Sequence, residues 1–299
     1  MKALFYLVLR PLSRFPYALL YGASSMLSLV VMRGLGYRRN VIQGNLKRSF
    51  PGRSASELKE LEREFGRHFG DLVVEVIKHF TVREEAVSKR MRYEGTEVLD
   101  RLHAEGRHVV IAGGHLNNWE LYAVTADRAL RHQVTAIYKR LSDPHMDRVM
   151  RQSRERFGLK MIPTIEAKSW GAERLSPEAE PKQAVVFGFD QSPADPQKSW
   201  WTPFLNQETA WYWGLEQFAR QHDMPVVFGH ITKVSRGHYA CRYELVTEAP
   251  RSLPEGDILR RCIDLLEADI VQEPAHWLWT HKRWKHRRPA DAPLHPRTT

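Results

Sequence analysis

The run Arg107-His-Val-Val-Ile-Ala112 is apolar and β-branched, ends on Gly113-Gly114, and is followed by a helical spacing at Trp119, Leu121, Tyr122, Val124 and Leu130. A short strand buried on both faces and turned by glycines into a helix is the repeating unit of parallel sheets. The unit recurs along the chain. Strand-like segments at 109–112, 134–138, 184–189, 226–231 and 239–246 alternate with helical patterns near 118–130, 144–157, 209–222 and 256–272. That alternation predicts an α/β fold, a mainly parallel sheet wrapped by helices. Ser54-x-x-Glu57 matches a capping box, opening a helix whose Leu58, Leu61, Phe65, Phe69, Leu72, Val76 and Phe80 recur at helical spacing. No stretch rich in Pro, Gly or Ser divides the 299 residues, so a single domain is expected over 41–299, behind an N-terminal segment 1–40.

The same unit holds the candidate chemistry. His115 follows the glycines at the carboxyl end of the expected strand, the place where α/β sheets present ligands. Glu120 comes five residues later, in the first turn of a helix that Asn117 or Asn118 would cap. The helix dipole favours an ionised carboxylate there, and such an anion raises the basicity of a nearby imidazole. The pair is expected to act as a general base with its orienting acid; the structural alternative is a loop histidine beside an ordinary first-turn acid. Other catalytic signatures are missing: there is no Gly-x-Ser-x-Gly, Walker A loop, Gly-x-Gly-x-x-Gly or His-Glu-x-x-His. No cofactor and no metal are therefore expected, and the widely spaced Cys241 and Cys262 suit small core residues of a reducing compartment.

A formal charge of +10 admits nucleic acid, an anionic membrane or an acidic protein as partner. No acid precedes Glu57, whereas Lys2, Arg10, Arg14, Arg33, Arg38, Arg39, Lys47, Arg48 and Arg53 are basic, and the uncharged run 15–32 sits among them. The run is near the lower length for a bilayer span, about 17 to 25 residues, and Ser24, Ser25 and Ser28 dilute it. A membrane-associated helix is expected over 1–40, a buried amphipathic helix being the alternative. Near the other end, Trp277, Trp279 and Trp284 alternate with His281, Lys282, Arg283, Lys285, Arg287 and Arg288, a stripe suited to gripping lipid headgroups. Stacking of single-stranded nucleic acid by that stripe is the competing use, but no RNP, zinc-finger or helix-turn-helix signature accompanies it, and no nucleic acid is expected.

Five blocks, in order, resemble one family. Gly113-Gly-His-Leu-Asn-Asn-Trp-Glu120 is similar to the His-x4-Asp/Glu catalytic block of the lipid A biosynthesis acyltransferases, the late lauroyl and myristoyl transferases. Tyr138-Lys-Arg-Leu-Ser-Asp-Pro144 with Met146–Gly158 resembles their second block, an extended segment leading into an arginine-rich helix. Val185–Gln191 resembles the strand ending in Asp-Gln, Trp201–Ala210 the loop before the next helix, and Glu273–Lys285 the closing signature. Two features stand apart: Lys139-Arg140 stands where Tyr is usually followed by Arg-Pro or a similar run, and the loop is more like family members carrying Phe-Leu-Asn-Gln than the best-known lipid A enzymes, which carry Phe-Phe-Gly.

The resemblance implies an architecture similar to the glycerol-3-phosphate acyltransferase fold and transfer of an acyl chain from a thioester to a hydroxyl. His115 would be the base and Glu120 its partner, with Gly114, Asn118, Lys139, Arg151, Arg154, Asp190 and Gln191 as candidates for substrate binding or for the oxyanion. Acyl carrier protein or coenzyme A would be the donor, and an anionic membrane glycolipid, a lipid A precursor first, the acceptor. A phosphatidylinositol mannoside-like lipid, an aminolipid and a lysophospholipid remain open, as do a non-catalytic membrane-surface binding protein and a hydrolase releasing acyl groups to water. The expected location is the cytoplasmic face of a bacterial inner membrane.

Overall fold

The computed structural model describes residues 2–28 and 38–296. Nine strands are present among them: β1 (Met91–Glu94), β2 (Val109–Gly113), β3 (Gln133–Tyr138), β4 (Lys160–Pro163), β5 (Gln183–Gly188), β6 (Trp200–Phe204), β7 (Gln207–Trp211), β8 (Val226–Ser235) and β9 (His238–Thr247). The helices, after three short turns (Lys2–Leu4, Phe5–Leu9, Arg10–Leu12), are α1 (Tyr17–Ser28), α2 (Arg39–Ser49), α3 (Ala55–His79), α4 (Glu84–Ser88), α5 (Glu97–Ala104), α6 (Trp119–Ala129), α7 (Pro144–Glu155), α8 (Ala167–Arg174), α9 (Gly214–Gln221) and α10 (Asp257–Gln272).

Seven strands form one sheet in the order β1-β9-β8-β2-β5-β3-β4. All neighbours pair in parallel except β8 and β9, which form a long antiparallel hairpin. The sheet is covered on both faces, and β2 shows why its sequence is continuously apolar. Val110 and Ala112 enter one core with Leu215, Phe218, Leu259 and Leu266 of α9 and α10. Val109 and Ile111 enter the other with Leu99, Leu102, Leu121 and Val124 of α5 and α6. A strand with no solvent face has no use for polar alternation.

Each of the five expected strands is present, and the capping box forms as its sequence predicts: the Ser54 hydroxyl accepts from the Glu57 amide while the Glu57 carboxylate takes the Ser54 N–H. The helix expected at 209–222 is corrected. Residues 209–211 belong to the β6–β7 hairpin and α9 begins at Gly214. Leu205 and Asn206, at φ 47° and 61°, make the two-residue turn, and the left-handed backbone at both positions is what a tight hairpin requires. Burial of Trp201, Phe204, Leu205 and Trp211 stabilises it.

The basic N-terminal segment folds back on the domain. In α1, Leu20 and Ser24 are buried against α3, while Leu19 and Met26 face outward. Arg33 and the residues 29–32 of the uncharged run lie outside the described residues. No described helix is long and apolar enough to cross a membrane.

Hydrogen bonds as well as apolar contact secure α1. Ser24 Oγ donates to Asp71 Oδ1 at 2.6 Å, and Arg236, from the β8–β9 turn, grips the same carboxylate at 2.6 and 2.9 Å. One turn further along α3, Glu75 receives Tyr21 Oη (2.8 Å), Tyr239 Oη (3.0 Å) and the side-chain amide of Asn118 (2.5 Å). Burial pushes the Glu75 carboxyl above its usual range, and these donors oppose that shift. Replacing Glu75 by Leu would strand several buried donors at once and is expected to lower stability by about 3 kcal/mol. Glu75→Gln, which keeps an acceptor, is expected to cost less. Urea midpoints would check this, and a Leu variant as stable as the parent would refute the role.

Candidate active site

Sheet register builds the site. β2 and β5 are adjacent and parallel, with Gly113 opposite Gly188, so His115 and Asp190 stand two residues beyond the same rung. His115 Nδ1 lies 2.5 Å from Asp190 Oδ1, and the His115 amide donates to Asp190 Oδ2 at 2.8 Å. The Trp277 indole N–H donates to the same oxygen at 2.8 Å. With the Nδ1 proton given to Asp190, the ring lone pair is on Nε2, where the Gln191 side-chain amide approaches at 3.2 Å. The His115 side chain keeps 19% exposure and Asp190 only 2%. The base edge is reachable and its anion is sealed.

Tight packing explains the glycines. A Cβ on Gly114 would come within 2.5 Å of Leu266 and 3.2 Å of Asp190 Oδ2, and one on Gly188 within 3.1 Å of the His115 ring. Gly114 thus serves the approach of the carboxylate and of α10. Asn118 caps α6, its Oδ1 accepting from the Leu121 amide at 2.7 Å, while its amide reaches Glu75. The Trp119 ring meets the imidazole edge-on at 5.1 Å between centroids.

Glu120 stands where the sequence puts it, in the first turn of α6, but the ring does not hydrogen-bond to it. Arg154 of α7 holds the Glu120 carboxylate in a two-pronged pair at 2.6 and 2.8 Å. A guanidinium fork matches both carboxylate oxygens at once, a geometry that an imidazole N–H cannot offer. The carboxylate that orients His115 is Asp190, with Glu120 adding a second negative charge nearby. The two candidate arginines part company. Arg154 joins this pair, whereas Arg151 bonds Glu155 along the exposed face of α7. Lys139, just past the end of β3, is exposed.

The closing block is also corrected. Trp277 and Trp279 are buried at 2% and 0% exposure, and Arg283 beneath them stacks on the Trp211 ring at 4.3 Å. Both tryptophans form core, Trp277 holding Asp190 and Trp279 donating to the Pro274 carbonyl; they are not a surface stripe. An indole has one polar atom, and once buried it must find an acceptor. Trp277 was therefore recognisable as a site residue only through a buried carboxylate elsewhere, and Gly188 only through the sheet register.

Burial opposes both charged partners, and their interaction overcomes it. The Asp190 carboxyl is brought down to about 2 by the imidazole and its hydrogen bonds, and the His115 imidazole is held above its usual 6.5 by the Asp190 charge and hydrogen bond. The raised imidazole stabilises the fold fully below its unfolded pKa and loses that contribution as pH rises through the folded value. The depressed carboxyl contributes above about 3.8 and loses it as pH falls through about 2. Asp190→Asn is expected to bring the His115 pKa down below its value in the parent, as followed by NMR of the ring protons; an unchanged titration would exclude Asp190 as its partner.

Comparison with known proteins gives the chain a family. The family model of the bacterial lipid A biosynthesis acyltransferases matches residues 2–286. A lipid A biosynthesis palmitoleoyltransferase of Escherichia coli strain K12 is 23% identical over 283 residues, covering 94% of this chain and 89% of its own length. A lipid A biosynthesis acyltransferase of Shigella flexneri shows the same identity and coverage. A match spanning the His115 loop, the Asp190 strand end and the Trp277 segment together places this chain in the bacterial lipid A biosynthesis acyltransferase family, enzymes that transfer acyl groups.

Proposed function

We propose that the chain moves a fatty acyl group from acyl carrier protein or coenzyme A to a hydroxyl of a lipid A precursor, with His115 as general base. The observation that carries the reading is the Nδ1 bond to Asp190, which leaves Nε2 unprotonated at the exposed edge of the ring. Nε2 takes the proton of the acceptor hydroxyl as that oxygen attacks the thioester carbonyl carbon. The tetrahedral oxyanion then collapses, the C–S bond breaks, and the leaving thiolate recovers the proton from the imidazolium. Asp190 holds the tautomer and stabilises the transient imidazolium, as buried acids do in other base–acid pairs. No covalent acyl-enzyme is needed.

Glu120 and Arg154 act as a unit in this scheme. The pair fixes α6 against α7, and the Glu120 charge adds to that of Asp190 in favouring protonation of the ring. Kinship with the glycerol-3-phosphate acyltransferase fold, which the family resemblance implies, belongs to the same reading.

Surface chemistry supports an amphiphilic acceptor. Leu7, Leu19 and Met26 of the N-terminal segment are exposed at 76, 60 and 70%, beside the cations Arg10 and Arg14. Tyr6 reaches His145 at the start of α7, which follows β3, and Leu141 and Ile165, past the ends of β3 and β4, are also exposed. An apolar rim bearing cations at the carboxyl end of the sheet suits docking on anionic lipid, by an N-terminal anchor or peripherally, at the cytoplasmic face of the bacterial inner membrane. An acidic carrier protein would meet the same basic surface.

The test is transfer of labelled acyl chains from acyl carrier protein to lipid A precursor in vesicles. His115→Ala is expected to lower turnover by about 10³-fold, the scale of general-base catalysis, with folding preserved. Free fatty acid as sole product would defeat the transferase reading. With the parent enzyme, turnover is expected to rise with pH through the elevated His115 pKa; Asp190→Asn should move that rise to lower pH while slowing the reaction.

A further inference from the structure

A thioester oxygen that gains charge needs a donor, and several donors beside His115 are already engaged. The His115 amide serves Asp190, the Asn118 side-chain amide serves Glu75, and the Arg154 guanidinium serves Glu120. The Gln191 side chain approaches His115 Nε2, where the acceptor hydroxyl must come. The segment after α10 brings another group. It bonds Asp190 through Trp277, and Trp277 also bridges to Leu116, the residue after the base. Four residues further on, His281 Nε2 accepts the Ser192 amide N–H at 3.0 Å. Residues 190, 191 and 192 in succession thus meet His115 Nδ1, His115 Nε2 and the His281 ring.

The Ser192 bond fixes the tautomer of His281. A neutral imidazole that accepts at Nε2 carries its proton on Nδ1. The ring is partly exposed, and among the described residues no acceptor takes that N–H. Backbone bonds hold the residue in place, its carbonyl accepting from the Asn45 side-chain amide at 3.0 Å and from the Arg283 amide at 2.8 Å. Burial pushes the His281 imidazole down to about 4, with Arg283, His115 and Lys285 adding to the shift and Asp190 opposing it. Arg283 is buried against Trp211, and its guanidinium nitrogens find no acceptor among the described residues. A neutral ring of fixed tautomer is an electrophilic donor that brings no further cation beside the base.

We propose that His281 is a catalytic residue of the acyl transfer, its Nδ1–H donating to the thioester oxygen in the tetrahedral state; the assignment rests on the transferase reading above. As the acceptor oxygen bonds to the carbonyl carbon, the C=O π pair moves onto that oxygen and meets the N–H. On collapse the pair returns and the C–S bond breaks. The thiolate takes its proton from His115, and His281 keeps its own.

Two substitutions separate this role from a structural one, because each ring nitrogen has a different duty. His281→Gln keeps an acceptor for the Ser192 amide and lacks a donor on the Nδ1 side, whereas His281→Asn offers an amide near Nδ1 and lacks that acceptor. With acyl carrier protein as donor and lipid A precursor vesicles, His281→Gln is expected to lower kcat about 10²- to 10³-fold with KM nearly unchanged. His281→Asn should be faster than His281→Gln by about tenfold or more. An Asn variant as slow as the Gln variant, or a loss seen in KM alone, would overturn the proposal. Nitrogen-15 NMR of the free parent enzyme judges it without substrate: a neutral ring protonated on Nδ1 is expected at neutral pH, and a cationic ring or an Nε2–H tautomer refutes it. Release of free fatty acid alone would sink the transferase reading, yet hydrolysis passes through the same oxyanion, so the Gln and Asn rates would still decide the part played by His281.

Discussion

An ionised carboxylate at 2% exposure is tolerable only if fixed donors replace water, and around Asp190 they come from two distant parts of the chain. The His115 amide and ring supply two and the Trp277 indole supplies the third. Their convergence sets the end of β5, the loop after β2 and the segment after α10 in one arrangement. The bridge between Leu116 and Trp277 continues the same contact through the backbone. Gly114 and Gly188 follow as necessities, because a side chain at either would push the anion or the imidazole out of reach.

Charge around the imidazole is then balanced in pairs. Glu120 is paired with Arg154 through two short bonds between α6 and α7. Asp190 has no comparable guanidinium bond and so acts chiefly on His115. This asymmetry decides which acid orients the ring. An acid already held by a bidentate arginine has little to gain from a further imidazole contact, whereas an acid satisfied by a backbone N–H and an indole still has a lone pair directed at Nδ1.

The sequence carried the strands, the α3 capping box and the location of the catalytic loop, because each depends on residues close together in the chain. Val109–Ala112 declares a doubly buried strand, and Ser54 with Glu57 declares a helix start, without reference to anything distant. Asp190 was visible as a strand-end acid, and its pairing with His115 was not, because that depends on β5 lying beside β2 when β3 and β4 intervene in the chain. Pattern misled where one residue type serves two ends. Tryptophans beside cations suit a membrane surface as well as a core, and Trp277 and Trp279 are core because a buried carboxylate and the Pro274 carbonyl need their N–H groups. The spacing of Arg151 and Arg154 showed a shared helix but could not show that only one of them faces an acid on the neighbouring helix.

The polar seam along α3 links the N-terminal helix to the catalytic loop. Tyr21 and Asn118 bond opposite oxygens of Glu75, and Asn118 caps the helix that begins immediately after it. Apolar contact alone would let α1 slide or rotate on α3 at small cost, since such contacts are non-directional. Hydrogen bonds to buried carboxylates are directional and fix both the rotation and the register of the helix. The exposed Leu19 and Met26 therefore have a defined heading relative to His115. If that face meets a bilayer, the distance and angle between the lipid surface and the base are set by Tyr21, Ser24 and Arg236 acting on Glu75 and Asp71, so anchoring and acceptor presentation are one structural property.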